Sequence, residues 1–223
     1  AVFRYAVATG SATTDPTYAL KDALIRPQPK PRAAITDANA LGDLMRAIDG
    51  FHGQAVTRIA LQLLALLTPR PGELRNAKWE EIDFEAAVWS IPAERMKMRR
   101  PHRVPLPAQA LRLLGELKAL TGATAYLLPS LISTKRIMSE NTLNTALRRI
   151  GFGKDEMTSH GFRASFSTLA NESGLWNPDA IERALAHLES NEVRRAYARG
   201  EHWDERVRMA EWWAGFLDEL RAG

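Results

Sequence analysis

Between Ser159 and Gly200 the chain gathers side chains suited to holding an anion. His160 and Arg163 stand three residues apart at a helix start, His187 follows, and Tyr197 lies ten residues beyond it. Thr158 or Ser159 can cap that helix, which places His160 in its first turn. Positions i and i+3 share a face, so the imidazole and the guanidinium point the same way. Phe162, Phe166 and Leu169 project from the other side as core. A helix start adds free N–H groups and a partial positive charge. Taken alone, His-x-x-Arg is more often a capped amphipathic helix with two incidental polar residues, and a single tyrosine is usually packing.

The elements that must position these groups are mostly helical. Thr36 or Asp37 caps a helix with the stripe Leu41, Leu44, Met45 and Ile48, ended by Gly50. A strongly apolar helix carrying Val56, Ile59, Ala60, Leu63, Leu64 and Leu67 follows, and its composition predicts a central buried position. Pro69 and Pro71 break it and leave Arg70 at the edge of the core, with Glu73 near enough to orient it. A surface Arg–Glu pair at a helix join fits the same residues.

From Trp79 to Pro105 the period shifts to that of strands. Residues 87–91 and 103–106 read as two short strands and 81–83 as a third. Between them Arg95, Lys97, Arg99 and Arg100 face a single acid, Glu94, in a basic hairpin tip that suits phosphate contact. A helix from about Ala108 stops at Gly122. Another from about Ser139 carries Leu143, Ala146, Leu147 and Ile150, with Arg148 and Arg149 off the stripe, facing DNA or simply water. Asn177-Pro178 starts a helix with His187 at its end. Ser190 can cap a short helix bearing Tyr197. The last helix, His202 to Gly223, carries two adjoining apolar stripes, one of them Met209, Trp212, Trp213, Phe216 and Leu220. That breadth fits either two surfaces, one on another subunit, or one deep groove of the same chain.

At 223 residues the chain can hold one full core and a small appendage. A net charge of +4 permits nucleic-acid binding without requiring it. There is no cysteine, hence no disulfide and no thiolate metal site. No apolar run approaches the length of a membrane span. Residues 8–35, with Pro27, Pro29 and Pro31 alternating with Gln28, Lys30 and Arg32, read as an extended solvated linker. The chain opens in what reads as the end of a helix, which fits a piece whose preceding domain is absent.

Together the stretches 70–75, 91–106, His160-Gly161-Phe162-Arg163, Leu185-Ala186-His187 and Val193-Arg194-Arg195-Ala196-Tyr197 resemble the catalytic domain of the tyrosine recombinases, most of all the P4-type integrases. They occur in the family's order, from about Thr36 to the C-terminus. Two departures are visible: Thr68-Pro69 before Arg70 is shorter than usual, and the spacing from His187 to Tyr197 is one longer than in many members, as in the P4-type branch.

The resemblance implies a mostly α fold with a small antiparallel β-sheet. Residues 1–35 would be the tail of a core-binding domain plus linker, and 36–223 the catalytic domain. It implies that Tyr197 attacks a DNA phosphodiester to give a 3′-phosphotyrosyl link, with no metal and no nucleotide cofactor. Arg70, Arg163 and His187 would hold the phosphoryl oxygens, His160 would be the base, and Lys97 would protonate the leaving 5′-oxygen. Arg95, Arg99, Arg100, Arg148 and Arg149 would contact DNA. The expected partners are double-stranded DNA and further copies of the chain, in a tetrameric synapse built through the C-terminal helix. The expected location is the bacterial cytoplasm. A type IB topoisomerase would share the chemistry but act as a monomer without paired sites. A DNA-binding protein that kept only the fold would lose nothing on Tyr197→Phe.

Overall fold

A computed structural model describes residues 2–20, 32–96, 99–130, 132–187 and 202–223. It divides into two compact units, Ala1–Pro31 and Arg32–Gly223. In the smaller, helix α1 (Val2–Ala8) buries none of its residues. The alternating prolines of the linker lie outside the described residues.

In the larger unit Asp37 caps α2 (Ala38–Asp49), its carboxylate accepting from the Ala40 N–H at 2.9 Å. Helix α3 (Ala55–Leu67) is the centre, with every residue from 59 to 67 buried. A helix apolar on all sides gains most when surrounded, and α3 is. It packs against α2, α4 (Pro71–Arg75), α5 (Ala108–Thr121), α6 (Thr142–Arg149), α7 (Gly161–Glu172) and α9 (Trp203–Ala222). Helix α8 (Pro178–Ala184) lies against α7 and α9.

The expected sheet is present: β1 (Ile82–Asp83), β2 (Val88–Ile91) and β3 (His102–Pro105) form an antiparallel meander. Ile91 pairs with His102 and Val88 with Pro105. The cationic tip therefore hangs off the end where β2 leaves and β3 returns. Lys97 lies in that tip, outside the described residues.

Helix α9 fills a groove of its own chain. Met209, Trp213, Ala214 and Leu217 are buried. The Trp213 indole meets Phe166 edge-on, centroids 5.2 Å apart, and its N–H donates to the Ala65 carbonyl at 2.9 Å. The second stripe turns along the same groove: Trp212 stacks on Phe216 and leans on Trp176. Helices α2 and α9 approach so closely that a Cβ on Gly42 would lie 2.6 Å from the Leu220 carbonyl oxygen.

Candidate active site

The site is built around the C-terminal end of α8. Asn177 caps its start, and Pro178 occupies the first turn, where no N–H is missed. The end closes tightly. Ala186 takes the left-handed conformation (φ 50°), its N–H bonding to the Arg183 carbonyl at 3.0 Å, while the His187 N–H reaches back to the Glu182 carbonyl at 2.9 Å.

Helix ends leave carbonyls without backbone donors, and here three consecutive ones are taken by side chains from three other elements. His102 Nε2, from β3, donates to the Ala184 oxygen at 3.2 Å. Arg163 Nη2, from α7, donates to the Leu185 oxygen at 2.5 Å. Arg70 Nη2, from the start of α4, donates to the Ala186 oxygen at 3.2 Å. The next residue is His187, whose Nε2 stands 2.9 Å from Arg163 Nη2. Arg70, Arg163 and His187, distant in sequence, thus meet on one short stretch of backbone.

Each is held from behind. Glu73 accepts from Arg70 Nη1 at 2.7 Å with one oxygen and from the Arg70 N–H at 2.8 Å with the other. That carboxylate is 6% exposed, so the guanidinium is fixed from the core side. Arg163 is itself buried and also donates Nη1 to the Thr68 carbonyl at 2.8 Å, at the left-handed turn ending α3. Burial, then the Arg70 charge, bring the Arg163 guanidinium down to about 10, still charged near neutral pH. Two guanidinium groups so placed suit an anion.

His160 occupies the N-cap position of α7 rather than its first turn; the helix begins one residue later than the sequence suggested. Thr158, whose hydroxyl accepts from the Gly161 N–H at 3.2 Å, closes the turn ahead of it. Gly161 is required there: a Cβ would come within 2.5 Å of the Ala33 carbonyl oxygen and 2.7 Å of Met157 Sδ. The His160 ring is half-buried. Burial first, then the charges of Arg32, Arg163 and Arg70, push it below the usual imidazole range, and Glu140 opposes them weakly. It is therefore neutral near pH 7 and able to accept a proton.

Tyr197 and Lys97 lie outside the described residues. The cations expected to meet DNA divide into two groups. Arg95 is taken up inside: Nη2 meets Glu81 Oε2 at 2.6 Å, an oxygen that also accepts from the Trp89 indole at 3.0 Å. Arg148 is likewise engaged, donating to the Asn144 carbonyl at 3.3 Å and to the Met157 carbonyl. Arg99, Arg100 and Arg149 are exposed. Among the described residues no group of three or more His, Cys, Asp or Glu side chains could hold a metal ion.

Two participants were not singled out from the sequence: His102, at the end of the basic tip, and Glu182 on α8, which precedes His187 by the five residues that a tight helix end folds back.

The sequence profile of the phage integrase family matches residues 35–202. The integrase of Enterobacteria phage P4 is 39% identical over 99% of this chain and 53% of its own length. The Escherichia coli K12 protein IntB, described as putative, is 40% identical over 99% of this chain and 59% of its own. The chain thus spans little more than half the length of these relatives. A crystallised lambda integrase dimer bound to a COC′ core site shares the fold, with a TM-score of 0.58 and 21% identity over 90% of this chain and 56% of that one. The chain belongs to the phage integrase family.

Proposed function

We propose that this protein is a site-specific DNA recombinase, an integrase of a phage or genomic island, which cleaves and rejoins DNA through a 3′-phosphotyrosyl intermediate. The observation that carries the reading is the meeting of Arg70, Arg163 and His187 at the end of α8, with a neutral His160 in the field of both arginines. Forked guanidinium groups match the non-bridging oxygens of a phosphate and stabilise the charge that develops on them. Preorganised donors of this kind contribute roughly 3–4 kcal/mol each.

In this reading Tyr197 is the nucleophile. A phenol near pKa 10 needs a base, and His160 supplies it. His187 adds a donor to the phosphate. Lys97, on the hairpin tip, protonates the leaving 5′-oxygen. The phosphotyrosyl link retains the bond energy, so rejoining needs neither ATP nor a metal.

Residues 1–35 are the end of a core-binding domain with its linker, and 36–223 are the catalytic domain. The partners are double-stranded DNA and other copies of the chain, four in a synapse. Assembly uses α9; because that helix fills a groove of its own chain, the copies exchange it. No described helix is long and apolar enough to cross a membrane, and the proposed place of action is the bacterial cytoplasm.

The test is covalent capture. The full-length protein is incubated with fragmented genomic DNA from the cell that carries it, denatured in detergent, and the retained DNA is sequenced. DNA should be retained by the wild type, with or without chelator, and lost in Tyr197→Phe. No retention by the wild type, equal retention by the variant, or a strict magnesium requirement for cleavage overturns the reading.

A further inference from the structure

Arginine is a donor only. Its Nη2 stands 2.9 Å from His187 Nε2, so that ring nitrogen accepts and the ring proton sits on Nδ1. Nδ1 lies 2.8 Å from Glu182 Oε2 and donates to it. We propose that Glu182 is a positioning residue for His187, fixing its tautomer and supplying the countercharge when the ring acts on a phosphate. The catalytic part rests on the recombinase reading above; the pairing rests on geometry alone.

Backbone and side chains close the same loop. The left-handed turn at Ala186 folds His187 back over α8, so its N–H bonds to the Glu182 carbonyl while its ring meets the Glu182 carboxylate. Among the described residues the surrounding groups are unbalanced without that carboxylate. Arg163 faces the ring from α7, and Arg70 stands beside it from α4 with its charge met by Glu73. His102, reaching α8 from β3, is neutral.

To donate to a phosphoryl oxygen, His187 must carry a proton on Nε2. Moving the ring proton from Nδ1 to Nε2 would leave the carboxylate facing a bare nitrogen. The ring instead takes a second proton from a hydronium ion or buffer acid, which reaches its 43% exposed side chain and leaves as water or the buffer base. Nε2–H and Arg163 then both turn to the phosphate. Glu182 keeps Nδ1–H and balances the imidazolium between two guanidinium groups, as carboxylates do behind reactive histidines.

Two measurements decide this. In the ring nitrogen spectra of the full-length protein without DNA, with His187 assigned by His187→Gln, the wild type should show the Nδ1–H pattern, and Glu182→Ala should lose it. An Nε2–H pattern in the wild type, or no change in the variant, overturns the pairing. On the duplex recovered by covalent capture, Glu182→Ala should slow cleavage roughly ten- to a hundredfold at an unchanged melting temperature, and should cost nothing further in a His187→Gln background. Equal losses in both backgrounds would mean that Glu182 acts elsewhere. If the wild type captures no DNA, the recombinase reading falls, and the ring spectra still decide the pairing.

Discussion

Arg163 Nη2 lies 2.9 Å from His187 Nε2 although 24 residues separate them in the chain. The same guanidinium holds the Leu185 carbonyl at 2.5 Å and the Thr68 carbonyl at 2.8 Å. One planar group thus joins the end of α3, the start of α7 and the end of α8. It shapes the site and, in the proposed function, binds the phosphate within it.

Arg163→Lys should therefore fail twice. A lysine ammonium cannot span three acceptors in the plane of a fork. Leaving two buried acceptors unmet costs about 1–3 kcal/mol each at most, read as a lower urea midpoint. Covalent DNA capture should fall by a larger factor than Arg70→Lys gives, because a lysine at position 70 can still meet the Glu73 carboxylate and, at a site a quarter exposed, water can reach the Ala186 carbonyl.

Stability should fall on mild acidification. Burial, ahead of the Arg206 charge, holds His102 down at about 3, against 6.5 for a free imidazole. Between those values the unfolded chain binds a proton that the folded protein does not. Stability is full above about pH 6.5 and is lost progressively as pH falls towards 3. His160, also lowered, acts in the same direction. The urea midpoint should drop between about pH 7.5 and 4.5, and the drop should shrink in His102→Gln.

The acid limb of cleavage should lie below the usual imidazole range. A base must be neutral to accept the tyrosine proton, and burial with Arg32, Arg163 and Arg70 keeps His160 neutral to lower pH. Arg32→Ala removes one of those positive charges. The limb, measured as capture rate against pH, should then move up.

The exposed and internal arginines should separate by salt dependence. Arg99→Ala, Arg100→Ala and Arg149→Ala each remove an exposed cation. Wherever that cation pairs with a DNA phosphate, its removal should reduce the slope of log affinity against log salt by about 0.9. Arg95→Ala and Arg148→Ala should leave the slope unchanged and lower stability instead. Arg95→Ala leaves Glu81, 6% exposed, without its cation. Filter binding at several salt concentrations and urea unfolding of the same variants check both halves.

Much of this fold is legible in the sequence because local chemistry decides it. Pro69 and Pro71 end α3 wherever the chain goes, Asn177-Pro178 starts α8, and the short runs read as strands at 87–91 and 103–106 fall on β2 and β3. Arg70, His160, Arg163 and His187 are singled out by five stretches standing in the order of a known family, since each residue by itself has an ordinary structural reading. The tertiary structure alone decides which cations are available. Arg95 and Arg99 are four residues apart in one basic run, and only packing puts Glu81 against the first. The same holds for the broad apolar face of α9, whose sequence fits two surfaces equally well until the groove beside α2 and α3 takes it. His102 shows the difference most plainly: its sequence context is a charged loop, yet β3 carries it under α8 to an orphan carbonyl. A helix end needs donors, and nothing local to that end encodes which distant side chains will provide them.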